Sequence, residues 1–271
     1  MGGEGGYQQI NKTLNVCAFQ DYLDGQLKSL PKLENVQQIS PRVIRILGQN
    51  PGKGPTYIVG TGRSRLIIDT GQGIPEWIDL ITSTLEDLGI TLSHQPIADA
   101  QLFRVEGATV RALHSPGHSH DHMCFVLEEE NAMFTGDNVL GHGTSAVEDL
   151  GLLMATWREV MQPQDCERGY PAHGDVIPNL RLKLKLEIGG KVRRENLVLA
   201  TLQRIGQAAG PGKRGTVTTG ELVLLMHGGA VSEDVRLMAL EPFTDEVLRK
   251  LAEDGKVGFE MRTGVKKWFG V

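Results

Sequence analysis

The chain has 271 residues, 40% of them hydrophobic, which is enough for one large domain or for a domain with a small appendix. Its formal net charge of −5 argues against general binding to nucleic acids. No apolar run approaches the roughly 20 residues of a membrane span, and residues 1–13 have neither the basic nor the apolar region of a secretory signal. The cysteines (Cys17, Cys124 and Cys166) are odd in number and scattered, which predicts reduced thiols and a cytoplasmic location.

Residues 1–40 are polar and irregular, which predicts an N-terminal extension ahead of the folded domain. From Pro41 the sequence changes to short β-branched runs between glycine-rich turns, which predicts a strand meander. The runs are 43–47, 57–59 and 66–68. A helix is predicted over 75–88, because this segment begins with proline, has one apolar face and ends before Gly89.

A second group of strands follows this helix. Its predicted strands are 102–105, 109–113 and 168–172, with a hairpin over 122–135. Apolar residues spaced three and four apart predict a helix over 147–161, and Pro178 opens a long segment that length and context predict to be helical to about 207. We expect these elements to form one domain over 41–208.

The composition of Gly210–Gly215 is that of a linker, so a second domain is expected over 209–271. Thr218 and Glu221 have the spacing of a capping box. Thr244 is predicted to cap a helix over 245–253, and the alternation over 257–269 predicts a hairpin. Helices followed by a hairpin predict a compact, winged-helix-like domain.

The candidate functional residues concentrate in Leu113–His142, which holds five of the eight histidines. His118, Asp137 and His173 each lie on a glycine-containing turn at the end of an apolar run, and these residue types hold metals at sheet edges. A catalytic zinc keeps three protein ligands and ionises a bound water near neutral pH. Because the three occur together, we interpret them as metal ligands, although a lone histidine is more often structural.

Other polar residues near these motifs have supporting or ordinary roles in our interpretation. Asp69 ends a strand and is expected to accept hydrogen bonds from the backbone or from a ligating histidine. His114 is expected to orient a ligand. His122 is a supporting donor, an additional ligand or a residue of a solvated turn. The histidines expected to be ordinary polar positions are His94, His142 and His227.

Four motifs, in order, resemble those of the metallo-β-lactamase superfamily. They are Ile68-Asp69-Thr70-Gly71, His114-Ser115-Pro116-Gly117-His118, Phe134-Thr135-Gly136-Asp137 and Pro171-Ala172-His173-Gly174. The resemblance covers about 41–271 and implies an α+β fold, an αβ/βα sandwich with two Zn²⁺ ions at the sheet edges. Residues 118–144 are similar to the fungal thioesterases that work beside non-reducing polyketide synthases. That likeness implies hydrolysis of an aromatic polyketide thioester on an acyl carrier protein, in secondary metabolism. A lactamase-like endoribonuclease has the same layout.

The chain departs from this family where its richest motif, Thr-His-x-His-x-Asp-His, belongs. The sequence between the helix at 75–88 and the strand at 102–105 holds only Ile90–Ala100, and the loop 52–57 is also short. The resemblance then implies an incomplete sandwich, two remaining protein ligands for each zinc, and no proton-shuttling aspartate, so no catalytic residue is assigned. We predict weak zinc binding and slow turnover. The hypotheses are an impaired zinc-dependent thioesterase, a zinc-dependent endoribonuclease and a non-catalytic remnant.

A basic segment at 181–194 has two interpretations. Its cations can form a solvated helix face, or they can bind an acidic partner such as an acyl carrier protein, its phosphopantetheine phosphate or RNA. The residues of this predicted partner patch are Lys183, Lys185, Arg193 and Arg194. The acidic net charge favours the carrier protein over RNA.

Overall fold

The computed structural model describes residues 32–49, 54–70, 74–90, 96–143, 145–228 and 231–271. The chain divides into two compact units, one spanning Pro31–Arg194 and one whose described part is Glu195–Val271. The boundary lies before the expected position at 208, because it falls inside a long helix whose second half belongs to the C-terminal unit.

The first sheet has four antiparallel strands in the order β1-β2-β3-β4. They are β1 (Val36–Ser40), β2 (Val43–Leu47), β3 (Pro55–Val59) and β4 (Leu66–Ile68). The prediction that 1–40 is an extension is wrong for β1, which pairs with β2 from Val36 opposite Ile46. Its polar composition (VQQIS) conceals it, because an edge strand is held by backbone hydrogen bonds and need not bury its side chains.

The second sheet has five strands in the order β5-β6-β7-β8-β9. They are β5 (Leu102–Val105), β6 (Ala108–His114), β7 (Met123–Leu127), β8 (Ala132–Gly136) and β9 (Arg168–Pro171). The first four pair antiparallel in sequence order, whereas β8 and β9 are parallel. The predicted hairpin over 122–135 is confirmed as β7 and β8.

The two sheets share a core. Buried side chains of β2, β3 and β4 pack with those of β6, β7, β8 and β9 in one cluster. The opposite face of the first sheet packs on helix α1 (Pro75–Asp87) through Ile44, Ile46, Ile58, Trp77 and Ile81. This arrangement of helix, sheet and sheet confirms the α+β sandwich expected from the sequence.

Two further helices belong to the first unit. Helix α2 (Leu150–Ala155) begins after Asp149, whose side chain accepts the N–H of Leu152, and continues as a π-helical turn over Thr156–Met161. Val147 therefore lies before the helix that we predicted over 147–161. Helix α3 (Leu180–Ala209) confirms the helical prediction for the basic segment. No helix in the described ranges is both long and apolar enough to cross a membrane.

The C-terminal unit contains, after α3, the helices α4 (Thr219–His227), α5 (Glu233–Val235) and α6 (Glu241–Glu253), and a hairpin of β10 (Val257–Arg262) and β11 (Val265–Gly270). The hairpin and the Thr218–Glu221 capping box are confirmed. The prediction for Thr244 is wrong, because α6 begins at Glu241, directly after a π-helical turn, and buries Thr244 in its interior. The winged-helix-like architecture stays a prediction.

Candidate metal centre

Asp137 lies between two histidines that are distant in sequence. Its Oδ2 is 3.6 Å from Nε2 of His118, and its Oδ1 is 3.5 Å from Nε2 of His173. The side chains are between 27% and 33% exposed, so the cluster opens to solvent. The structure thus brings together the three residues predicted as ligands, with the carboxylate in the middle.

His118 follows β6, and its ring is held from the side away from Asp137. Its Nδ1 lies 2.8 Å from the carbonyl oxygen of Ala146 and 2.9 Å from Oγ of Ser145. Because a carbonyl only accepts hydrogen bonds, Nδ1 carries the proton in neutral His118. The Nε2 lone pair of that tautomer faces Asp137, which is the state that a metal ligand requires.

His122 supports the backbone of Asp137. The N–H of Asp137 donates to Nε2 of His122 at 3.1 Å, and Nδ1 of His122 lies 3.0 Å from Oγ of Ser115. Burial, followed by the electrostatic interaction with the His118 ring, lowers the pKa of His122 to about 4, so the ring of His122 is neutral at neutral pH. A Cβ on Gly136 (φ 52°) would lie 2.4 Å from Nε2, so this contact needs glycine there. Both ring nitrogens are engaged, which matches a supporting role rather than a ligand.

The loop that carries His173 is fixed by the first sheet. The Tyr57 hydroxyl donates to the carbonyl of Pro171 at 2.8 Å, and burial raises the pKa of this phenol. Arg45, 1% exposed, reaches Oδ1 of Asp175 at 2.9 Å. Sequence reasoning missed these residues, because Arg45 and Tyr57 lie inside apolar strands and give no local signal of a loop 110 or more residues away.

Asp69 follows β4 with a left-handed backbone (φ 61°). Its pKa is raised to about 6, first by desolvation and then by the negative charge of Asp137, while His173 acts in the opposite direction. The residue reaches solvent, so this desolvation is partial. Asp69 thus lies near the cluster, as its predicted supporting role requires, and that role stays a prediction.

His114 is exposed at the end of β6, where its Nε2 lies 3.0 Å from the carbonyl oxygen of His120. His120 is 85% exposed and lies 3.9 Å from Glu148. The contact of His114 with the His120 carbonyl involves the backbone two residues after His118. It does not test the predicted role of His114 in orienting a ligand. His94 lies outside the described residues.

His142 was predicted to be an ordinary polar position, but it lies next to the loop that carries His173. A Cβ on Gly174 would lie 2.5 Å from Nδ1 of His142, and the N–H of Gly141 donates to the carbonyl of His173 at 2.9 Å. Burial and the nearby charges of His173 and Lys183 lower the pKa of His142. Among the described residues, its buried Nδ1 has no hydrogen-bond partner.

The donors among the described residues do not fit a binuclear zinc centre. Asp137 and His118 would hold one ion, Asp137 and His173 the other, so each ion would have two protein ligands where a catalytic zinc normally keeps three. Within the part of the chain that the structure describes, no group of three or more His, Cys, Asp or Glu side chains is arranged to hold a metal ion.

The predicted partner patch is spread around α3. Successive helix residues are about 100° apart, so Lys183 and Lys185 point in nearly opposite directions, while Arg194 lies close to the direction of Lys183. Lys183 pairs with Glu187 at 2.8 Å, and both side chains are only 25% exposed. The four residues of the predicted partner patch therefore do not share one face of α3.

The chain is similar over nearly its whole length to curated fungal proteins. It is 58% identical over 306 residues to an atrochrysone carboxyl ACP thioesterase of Emericella nidulans, covering 99% of this chain and 97% of the relative. It is 56% identical to the atrochrysone carboxyl ACP thioesterase AacuM of Aspergillus aculeatus, covering 99% of each. It is also 56% identical to the lactamase-like protein ptaB of Pestalotiopsis fici, covering 100% and 99%. No family model matches the chain.

Solved structures share the fold. A metallo-beta-lactamase family protein from Thermus thermophilus superposes with a TM-score of 0.60 at 16% identity, covering 88% of this chain and 99% of the other. A beta-lactamase domain protein from Burkholderia ambifaria gives 0.66 at 13% identity, covering 90% and 95%.

Proposed function

The chain belongs to the family of the atrochrysone carboxyl ACP thioesterases, hydrolases of the metallo-β-lactamase superfamily, and on that premise we propose a substrate and a defect. The substrate is an aromatic polyketide acyl thioester on the acyl carrier protein of a non-reducing polyketide synthase. The defect is weak zinc binding, with slow turnover. The observation that carries the proposal is the cluster in which Asp137 lies 3.6 Å from His118 and 3.5 Å from His173.

A thioester suits this residue set better than a phosphodiester. The leaving thiolate has a conjugate acid of pKa about 8.5, so it departs with little help from a general acid. A phosphodiester would expel a poorer alkoxide, and the loss of a proton-shuttling aspartate would slow that reaction more. The thioesterase is therefore favoured over the endoribonuclease for this chain.

The length of the alignments supports the loss of a segment. The alignment with the Emericella relative runs over 306 positions, whereas the chain has 271 residues, so at least 35 positions have no counterpart here. The missing Thr-His-x-His-x-Asp-His motif belongs between α1 and β5. Residues 91–95 of that stretch, like 50–53 in the short loop, lie outside the described residues.

An apolar cavity beside β4 supports the same proposal. It has a volume of about 110 Å³ and is lined by Leu66, Ile67, Ile68, Ile97, Phe103, Val110 and Phe125. Ile97 is 52% exposed, and β4 is an edge strand of its sheet. An open apolar cavity at a sheet edge is what removal of a covering strand would leave. We infer that the segment carried by the relatives covers this edge.

The test is hydrolysis of a carrier-bound aryl thioester by this chain and by a variant that carries the relative's segment between α1 and β5. We expect the insertion to raise both zinc content and the rate by orders of magnitude, because the motif adds two ligands to the two that remain for each ion and so exceeds the three that a catalytic zinc normally keeps. If the restored variant cleaves single-stranded RNA and spares the thioester, the proposed substrate is wrong.

A second candidate, a non-catalytic remnant, is favoured by the same two-ligand count. It predicts that the unmodified chain binds the carrier protein with zero hydrolysis above background at any zinc concentration. A slow rate that rises with added zinc and disappears with a chelator would support the impaired enzyme instead.

A further inference from the structure

The C-terminal unit contains a cleft of about 440 Å³ that the proposed reaction does not use. One wall is apolar and is formed by Leu199 and Leu202 of α3 together with Phe269 of β11. Three cations, Lys213, Arg214 and Lys256, line the same cleft. The cleft therefore combines an apolar floor with concentrated positive charge.

Two of these cations come from the segment that the sequence suggested to be a linker. The end of this segment is packed: a Cβ on Gly215 would lie 2.5 Å from the carbonyl oxygen of Ile205 in α3, whereas one on Gly210 or Gly212 would meet nothing within 4 Å. Immediately after it, Val217 and Trp268 exchange two backbone hydrogen bonds of 3.0 and 2.7 Å. Lys213 and Arg214 therefore directly precede a stretch of backbone that is packed against α3 and β11.

Two of the three cleft cations, Lys213 and Arg214, have no carboxylate partner among the described residues, whereas Lys256 pairs with Asp254 at 3.0 Å. Five cations of the unit pair with carboxylates: Arg236, Arg249, Lys250, Lys256 and Arg262. Among the described residues, neither Lys213 nor Arg214 lies within 4.0 Å of a carboxylate, and both are exposed. Two unpaired cations side by side repel each other, so a bound anion would relieve an unfavourable interaction.

Arg214 is also fixed in place. Its guanidinium lies over the Phe269 ring at 4.2 Å from the centroid, a cation–π contact that limits its rotamers and leaves its planar N–H groups free. An arginine held in this way loses less entropy when it binds a carboxylate or phosphate in two-point fashion.

We propose that this cleft is the docking surface for the acyl carrier protein, and that it takes an acidic helix face of the carrier beside the phosphodiester of its arm. The inference rests on the proposed function for the identity of the partner. Lys213 and Arg214 bind the carboxylates and phosphate, and the half-buried Phe269 and Leu199 receive an apolar side chain of the carrier. Charge complementarity is the argument for this occupant.

A nucleic acid fits this surface less well. The segment 195–271 has ten basic and ten acidic residues, and the whole chain carries −5, so a long polyanion would meet repulsion outside the cleft. A small acidic protein touches a limited area and meets chiefly the local charge.

The test measures binding of a purified phosphopantetheinylated carrier domain to the full chain by calorimetry at low and physiological salt. The variant Lys213→Glu/Arg214→Glu should weaken binding at least tenfold and remove most of its salt dependence. The matched control Arg249→Glu reverses an exposed charge of the same unit outside the cleft and should change affinity less than twofold. If the double glutamate variant does not fold, Lys213→Gln/Arg214→Gln should still weaken binding several-fold.

The proposal is overturned if the cleft variants bind the carrier like the parent chain, if Arg249→Glu weakens binding equally, or if a single-stranded RNA binds more tightly than the carrier in a cleft-dependent way. Binding needs neither zinc nor turnover. A chain that binds the carrier through the cleft and never hydrolyses its thioester would therefore contradict the proposed activity and leave the docking surface intact.

Discussion

The backbone N–H of Asp137 donates to Nε2 of His122 at 3.1 Å, so the central carboxylate of the cluster is positioned by a histidine that is not itself a proposed ligand. The contact crosses from the loop before β7 to the end of β8 and leaves both side-chain oxygens of Asp137 for His118 and His173.

Replacing His122 with alanine should destabilise the fold by about 1–3 kcal/mol, because the N–H of Asp137 and the hydroxyl of Ser115 would lose a largely buried partner. Urea unfolding measures this. His120→Ala is the control: its side chain is 85% exposed, and the change should stay within about 0.5 kcal/mol. Equal effects of the two substitutions would contradict the supporting role.

Asp175→Asn should destabilise the first unit by about 1 kcal/mol or more, because it leaves the Arg45 guanidinium, 1% exposed, without its charged partner. The value is below that of a fully buried pair because Asp175 is 57% exposed. Asp165→Asn, which removes one of the two carboxylate partners of the more exposed Arg181, should have little effect on the midpoint of urea unfolding. If Asp175→Asn leaves the stability to urea unchanged, water replaces the carboxylate at Arg45 without cost.

Stability should fall at alkaline pH through Cys124. Burial raises the pKa of this thiol from 9.0 to about 12, so the unfolded chain loses the proton first and gains an advantage as pH rises above 9. At pH 10 this lowers the stability of the folded chain by on the order of 1 kcal/mol, and the effect becomes negligible as pH falls to 8. Cys124→Val should reduce the fall in the free energy of unfolding between pH 8 and pH 10, measured by denaturant titration. If the two proteins lose stability in parallel, Cys124 is not the cause. The raised pKa of Cys166 is common to both proteins and cancels.

The cavity beside β4 should bind an apolar fluorescent dye. Ile97→Asp places a charge at its rim and should lower dye fluorescence several-fold, because the charge makes burial of apolar surface unfavourable. Ile78→Asp makes the same change on α1, at a residue 45% exposed and outside the cavity lining, and should leave the fluorescence nearly unchanged. A parent chain that fails to enhance the dye would argue that the edge is closed in solution.

Local sequence patterns predicted the elements whose side chains follow one period and whose ends carry turn signals. Helix α1 and the β7–β8 hairpin are examples. The three candidate ligands were predictable because each stands on a turn at a strand end, and strand ends gather at one edge of a sheet.

Other features depend on contacts that no local pattern encodes. Strand β1 forms because β2 offers it backbone partners, and helix α6 begins before Thr244 because it continues a preceding helical turn. Likewise, the buried Arg45 depends on Asp175, a partner far away in the sequence, which no pattern within its strand encodes. Cysteines 124 and 166 are buried free thiols as predicted, whereas Cys17 lies outside the described residues.

The central claim is that this chain retains two protein ligands for each zinc position. Elemental analysis of the purified, zinc-loaded chain after exhaustive dialysis tests it most directly, with Asp137→Ala as the reference for non-specific metal. The two-ligand cluster predicts well under one zinc per chain, close to the Asp137→Ala value. One or two zinc ions per chain, lost on Asp137→Ala, would contradict it.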